Sequence, residues 1–295
     1  MKINLFKRRE DTFDYESDRL CIVCNHSFKG RYCNVCGEKI TEPHERTILF
    51  FFGIILNAFT FLDGKFLRSI KLILTNPGAL SRNISEGKRV IYMNLVSLFF
   101  VANFFYFLFQ VFDSYSSSLY TQMNLSGYHN EVARGIVERK IKEGNATFED
   151  FEVKYNSQSA NLSKLLIIIL VLAFSGILAV VNIRKQEFFF NHLLFSLEFY
   201  SFQLLFISVF LANLFRAIIE AALLFGLDWE FILADNVFSF ISVFILLYFL
   251  TRGQIEYYSQ RWYWAIPKAV ILVCLLQGTV MLYRIMLFHL TISTL

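Results

Sequence analysis

Five stretches of this chain are apolar over about 20 residues or more, and that property leaves few folds open to it. They run over 90–112, 165–183, 188–215, 231–250 and 265–292. At 56% hydrophobic, with 35 phenylalanines, the chain is far more apolar than an average soluble protein. Its charged residues fall between the apolar runs, as they must if the runs sit in lipid. The expected fold class is all-α: a polytopic helical membrane protein of about five spans.

Two shorter segments precede the first span. Residues 48–62 (ILFFFGIILNAFTFL) are strongly apolar but short for a crossing, so an interfacial or re-entrant helix is expected. The next stretch, FLDGKFLRSIKLILTNPG, has the spacing of an amphipathic helix. At about 100° per residue, Leu62, Phe66, Ile70, Ile73 and Leu74 share one face, and Lys65, Arg68 and Lys71 the other. Such a helix lies in the headgroup layer with its cations toward anionic lipid, although the same pattern also suits an ordinary packed helix with a solvated face. Lys88 and Arg89, at the approach to the first span, are further candidates for anionic-lipid contact. Asn76, Pro77 and Gly78 close the helix.

The loops at 184–187 and 251–264 are basic, whereas the 216–230 loop is mixed. Five spans with the N-terminus in the cytosol satisfy the positive-inside rule, with the C-terminus outside. The first twenty residues are charged and carry no signal-peptide core. The polar segment 113–164 then faces outward as a loosely structured cap with a short helix at EVARGIVERKIK.

Near the N-terminus, CIVCNHSFKGRYCNVC places Cys21, Cys24, Cys33 and Cys36 as two Cys-x-x-Cys pairs. Each short turn aims two thiolates at one ion, which suits a structural tetrahedral zinc site; iron is the less favoured metal, and a dithiol redox pair fits the tandem spacing least. Gly37 follows the second pair and takes positive φ at no steric cost, and Asn25 holds the matching place after the first. Cys274, alone in an apolar run, reads as a small buried hydrophobe. The chain therefore divides into a tail and zinc ribbon over 1–46 (ribbon 19–40), interfacial and amphipathic helices over 47–89, and a membrane domain over 90–295.

The Cys pairs with YCNVCGEK, then FLDGKFLRSI, a Pro-Gly, EGKRVIY and NHLLFSLEFYSFQLL resemble an uncharacterised bacterial membrane family, domain of unknown function 3667. The resemblance implies a zinc-ribbon-like head before a helical membrane domain in the bacterial cytoplasmic membrane. Two recurrent motifs of that family match here, one as Gly87, Lys88, Arg89 and Tyr92, the other as His192, Phe195 and Leu197. Members often carry a proline after the tyrosine, where this chain has Met93 and Asn94. The family implies architecture and no activity.

Ionisable groups inside spans are costly and are candidate sites. His192 and Glu198 share the third span but point about 120° apart, so Glu198 must look to another helix, where Asn103 and Gln277 sit at similar depth. Asp235 and Arg284 lie near the outer ends of the fourth and fifth spans, at depths suited to a cross-helix ion pair. No nucleophile elbow, phosphate loop or zincin motif is present, and the reading leans away from an enzyme. Two functions are in play. One is a non-enzymatic docking protein whose ribbon meets a protein partner at the cytosolic face, beside anionic lipid and without nucleic acid; a homo-oligomer is compatible with it. The other is a transporter or channel with a polar intramembrane site around Glu198.

Overall fold

A computed structural model describes residues 14–37, 64–111, 115–124, 129–144, 147–185, 187–224 and 235–295, except for the side chains of Leu223, Asp235 and Asn236. The chain divides into two compact units, Met1–Asp63 and Gly64–Leu295. The apolar stretch 48–62 lies outside the described residues, and so does Leu62.

The described head is a two-stranded antiparallel hairpin whose connection holds the first cysteine turn and which the second cysteine turn follows. Strand β1 (Asp18–Leu20) pairs with β2 (Ser27–Lys29) so that Arg19 faces Phe28. Its buried apolar core consists of Cys21, Phe28 and Cys33, too little for so short a segment to fold around without a further staple.

The second unit is helical. Helix α1 (Gly64–Thr75) and the short α2 (Ala79–Ser85) precede α3 (Leu95–Leu108). Helix α1 turns Phe66, Ile70 and Ile73 toward the core and leaves Lys65, Arg68 and Lys71 exposed, the amphipathic division read from the sequence. Its inner face packs on protein, and Leu74 is exposed. The buried Ser69 hydroxyl donates to the Lys65 carbonyl at 2.8 Å and accepts from the Met93 N–H at 3.0 Å.

Helix α3 is shorter than the expected first span. Asn94 caps it by accepting from the Val96 N–H at 2.9 Å, which starts the helix five residues later than the apolar run. Its 14 residues rise about 21 Å, less than a hydrocarbon core of about 30 Å. Four longer apolar helices are each long enough to cross: α6 (Phe148–Val181), α7 (Phe189–Ala222), α8 (Asp235–Glu256) and α9 (Trp262–Thr294). Within α7, residues Gln203–Leu211 are wound as a π-helix, a local geometry common at functional positions.

The segment expected as a loose cap is packed. Helices α4 (Leu119–Asn124) and α5 (His129–Gly144) place Leu119, Ala133 and Val137 against Phe151 and Tyr155 of α6 and Phe288 and Ile292 of α9. The reason is the length of α6: its 34 residues rise about 51 Å, so its first turns project beyond any bilayer and offer an apolar face. Thr147 caps that helix, accepting from the Asp150 N–H at 3.2 Å, with Glu149 and Asp150 suited to its positive end.

The main core lies where α3, α6, α7, α8 and α9 meet, around Phe99, Phe174, Phe195, Phe199, Phe249 and Leu272. Phe100, Phe104, Phe244 and Leu282 point outward, the apolar exterior that a lipid solvent requires.

Candidate functional site

In the head, the two cysteine turns are near copies of each other. The Asn25 N–H donates to the Cys21 carbonyl and the Gly37 N–H to the Cys33 carbonyl, both at 2.9 Å. The two residues following the pairs take φ of 55° and 77°, as their types suggested. These turns aim the Cys24 and Val23 N–H groups at the Cys21 sulfur and the Cys36 and Val35 N–H groups at the Cys33 sulfur. Backbone hydrogen bonding therefore lowers both thiol pKa values, that of Cys33 to about 6.

All four sulfurs lie within 4.8 Å of one another, with Cys21 and Cys36 at 3.4 Å and Cys24 and Cys33 at 3.6 Å. Sulfurs around a tetrahedral ion at about 2.3 Å stand about 3.8 Å apart, so the donor set fits a metal ion as it stands. None of the four is in a disulfide. Cys274, expected to be buried, is exposed on α9.

In the helical unit, Glu198 of α7 reaches the turn between α1 and α2. Glu198 is fully buried, as expected for a group facing the bundle interior. One carboxylate oxygen accepts from the Gly78 N–H at 2.8 Å, and the other from the Ser81 N–H at 2.7 Å and from the Ser81 hydroxyl. The carboxylate thus satisfies the N-terminal donors of α2 from another helix, which helices otherwise solve with their own side chains. Asn103 and Gln277 are elsewhere: the Asn103 amide donates to the Lys164 carbonyl at 2.9 Å, and Gln277 is exposed.

The turn is pinned from two further sides. Gly78 has φ of 89°, and a Cβ there would come within 3.1 Å of Gly253 Cα. A Cβ on Gly253 would collide with the ring of Phe195, so α2, α7 and α8 approach one another through two glycines. Arg82 and Glu256 form an ion pair at 2.5 Å. His192, one turn before Phe195, exchanges a 2.8 Å hydrogen bond with the Tyr258 hydroxyl and stacks on that ring. Burial raises the Tyr258 phenol well above its ordinary pKa, so it stays protonated. The neighbouring Tyr257 hydroxyl donates to the Asn191 carbonyl at 2.9 Å. His192 and Glu198 therefore belong to one buried assembly but to different contacts within it. Residue types alone hinted at Pro77-Gly78 as a turn; Ser81 and Gly253 carried no signal that joined them to Glu198.

The other candidates are dispersed. Asp235 begins α8, and its side chain lies outside the described residues. Arg284 is half-buried and lines a cleft of about 300 Å³ with Tyr115, Gln203, Ser242 and Gln277, where the π-helix faces α8 and α9. The buried Tyr115 hydroxyl, Gln203 Oε1 and Ser242 Oγ there have no hydrogen-bond partner among the described residues. Lys65, Arg68 and Lys71 are exposed. Lys88 pairs with Glu86 at 2.9 Å, and Arg89 reaches the Ile84 carbonyl at 3.5 Å.

Residues 63–107 match the family model described as "Protein of unknown function (DUF3667)", which bears out over that stretch the resemblance carried by FLDGKFLRSI and EGKRVIY. Comparison with curated proteins and with solved structures finds no match.

Proposed function

We propose that the chain is a non-enzymatic membrane protein whose metal-stapled head docks a protein partner, on the cytosolic side of a bacterial cytoplasmic membrane. One observation carries this reading: the head exposes more apolar side chains than it buries. Ile22 is 88% and Val35 64% exposed at the tips of the two cysteine turns, and Leu20, Val23 and Tyr32 are also exposed. A bound ion stabilises so small a fold from within, leaving its apolar residues for recognition. Zinc is the metal that four thiolates without a redox role favour, with iron as the alternative. The exposed Lys65, Arg68 and Lys71 suit anionic headgroups on the same side. Photocrosslinkers placed at Ile22 or Val35 of the full chain in native membranes test it. A discrete protein adduct, lost in Val23→Asp and in Cys33→Ser, supports docking; adducts to lipid alone, or adducts indifferent to both changes, overturn it.

The transport reading keeps one supporting observation, the oxygens around the Arg284 cleft that have no partner among the described residues, and shifts away from Glu198, whose oxygens serve the α2 turn. Ser242→Cys should react with a membrane-impermeant thiol reagent if that cleft carries water. Failure to react in an otherwise folded protein removes this alternative.

A further inference from the structure

Asn182 caps the C-terminus of α6 and is almost wholly buried, its amide nitrogen donating back to the Leu178 carbonyl at 3.2 Å. That bond turns its side-chain oxygen toward α9, where it accepts from Lys268 Nζ at 2.9 Å. Arg184 and Lys185, in the 3₁₀ turn Ile183–Lys185, stand close enough for their charges to act on Lys268. Lys185 Nζ in turn donates to the Ser259 carbonyl at 3.3 Å, which draws the turn against the approach to α9.

Three cations are thus gathered between two spans. Among the described residues, no carboxylate lies within ion-pair reach of any of them. The nearest acid in sequence, Glu187, is held by the Asn191 amide at 2.7 Å. The negative end of α6 offsets about half a charge, which leaves most of the repulsion uncompensated. Trp262 and Trp264 are 68% and 59% exposed at the start of α9, the pattern of side chains anchored at headgroup level. Along the two helices and the turn that follows α6, the outward residues Val180, Ile183, Ile266 and Val270 are apolar, a surface for acyl chains.

We propose that Lys268, Lys185 and Arg184 form a binding site for the phosphate of an anionic phospholipid, with Asn182 positioning Lys268. A phosphate supplies the missing counter-charge and takes hydrogen bonds from an ammonium or a guanidinium, and basic pockets between spans are known places for such headgroups. The site is separate from the exposed cations of α1 and is independent of what the head does.

The test uses the full chain in mild detergent, with unfolding followed by tryptophan fluorescence. Phosphatidylglycerol should raise the melting temperature by several degrees over an equal amount of phosphatidylcholine. Lys268→Gln should remove at least half of that difference, Lys185→Gln with Arg184→Gln a similar share, and Lys268→Arg should retain it. Because each comparison is made between two lipids for one variant, a lower baseline stability does not obscure the result. The proposal is overturned if the difference survives Lys268→Gln intact, or is lost instead in a Lys65→Gln, Arg68→Gln, Lys71→Gln variant. It is also overturned if millimolar inorganic phosphate gives the same rise, since the site would then serve a free anion.

Discussion

Glu198 accepts a hydrogen bond from the backbone N–H of Gly78, 120 residues earlier in the chain, at 2.8 Å. Together with Ser81 it closes the start of α2 from the side of α7, so the segment between the amphipathic helix and the first apolar helix is fastened to the bundle by a carboxylate. A fully buried acid in that position acts as a structural lock. Replacing Glu198 by Gln turns an amide NH₂ toward at least one backbone N–H, which leaves donors facing each other. The expected loss is about 2–3 kcal/mol, and Ser81→Ala, which removes only the hydroxyl, should cost about 1 kcal/mol. Unfolding in detergent measures both; a Glu198→Gln protein as stable as the parent would show that the carboxylate is not the fastening.

Gly253 lies between Gly78 and Phe195, with room for no side chain. Gly253→Ala should therefore force α8 away from α7, at about 1–3 kcal/mol for an overpacked contact. Shortening the opposing ring with Phe195→Leu in the same protein should recover part of that loss. Non-additivity of the two changes in a double-mutant cycle is the signature of the contact, and simple addition would contradict it.

The helices were legible because hydropathy is a property of each residue and lipid leaves the backbone little choice. The amphipathic face of α1 and the left-handed positions after each cysteine pair were legible for the same local reason. The ends of α3 and α6 were less so, since Asn94 and Thr147 cap helices at places the apolar runs do not mark. Least legible were the partners of Glu198. Its burial followed from its place in a span, but the groups that satisfy it are backbone N–H donors at a turn, and every residue type carries those alike. Packing of the 115–160 segment was hidden for a related reason: its apolar face is completed by Phe288 and Ile292 from the far end of the chain.

The four head cysteines should bind one metal ion per chain, by elemental analysis of the purified protein. Removing it with a strong chelator should add four alkylatable thiols to whatever Cys274 contributes, because the sulfurs are not disulfide-bonded. Either Cys21→Ser or Cys33→Ser, at the two buried ligands, should abolish the metal rather than weaken it, since a three-thiolate remnant loses both a charge and the hairpin core. Visible absorbance separates the two metals, as tetrathiolate zinc is colourless and the iron centre is not. Stoichiometric metal surviving in Cys33→Ser would mean that the ion sits elsewhere.

The cap formed by α4 and α5 should loosen in mild acid. His129, at the start of α5, is buried, with no hydrogen-bond partner for its Nε2 atom among the described residues and its ring set edge-on to Phe288 at 5.1 Å and to His289 at 5.6 Å. Burial first, and then the charge of His289, holds its pKa below the ordinary histidine value. The docked cap therefore favours neutral His129, whereas an undocked one titrates normally near about pH 6.5. Stability gained from docking is complete above that value and declines as pH falls through it, because protons bind the undocked state preferentially. Amide exchange across α5, corrected for the intrinsic pH dependence of exchange, should quicken several-fold between about pH 7.5 and about pH 5.5. His129→Phe preserves an aromatic ring against Phe288 and removes the titration, so it should flatten the profile, while His289→Gln should flatten it only in part. A His129→Phe protein with the parental pH profile would place the sensitivity in other groups of the cap.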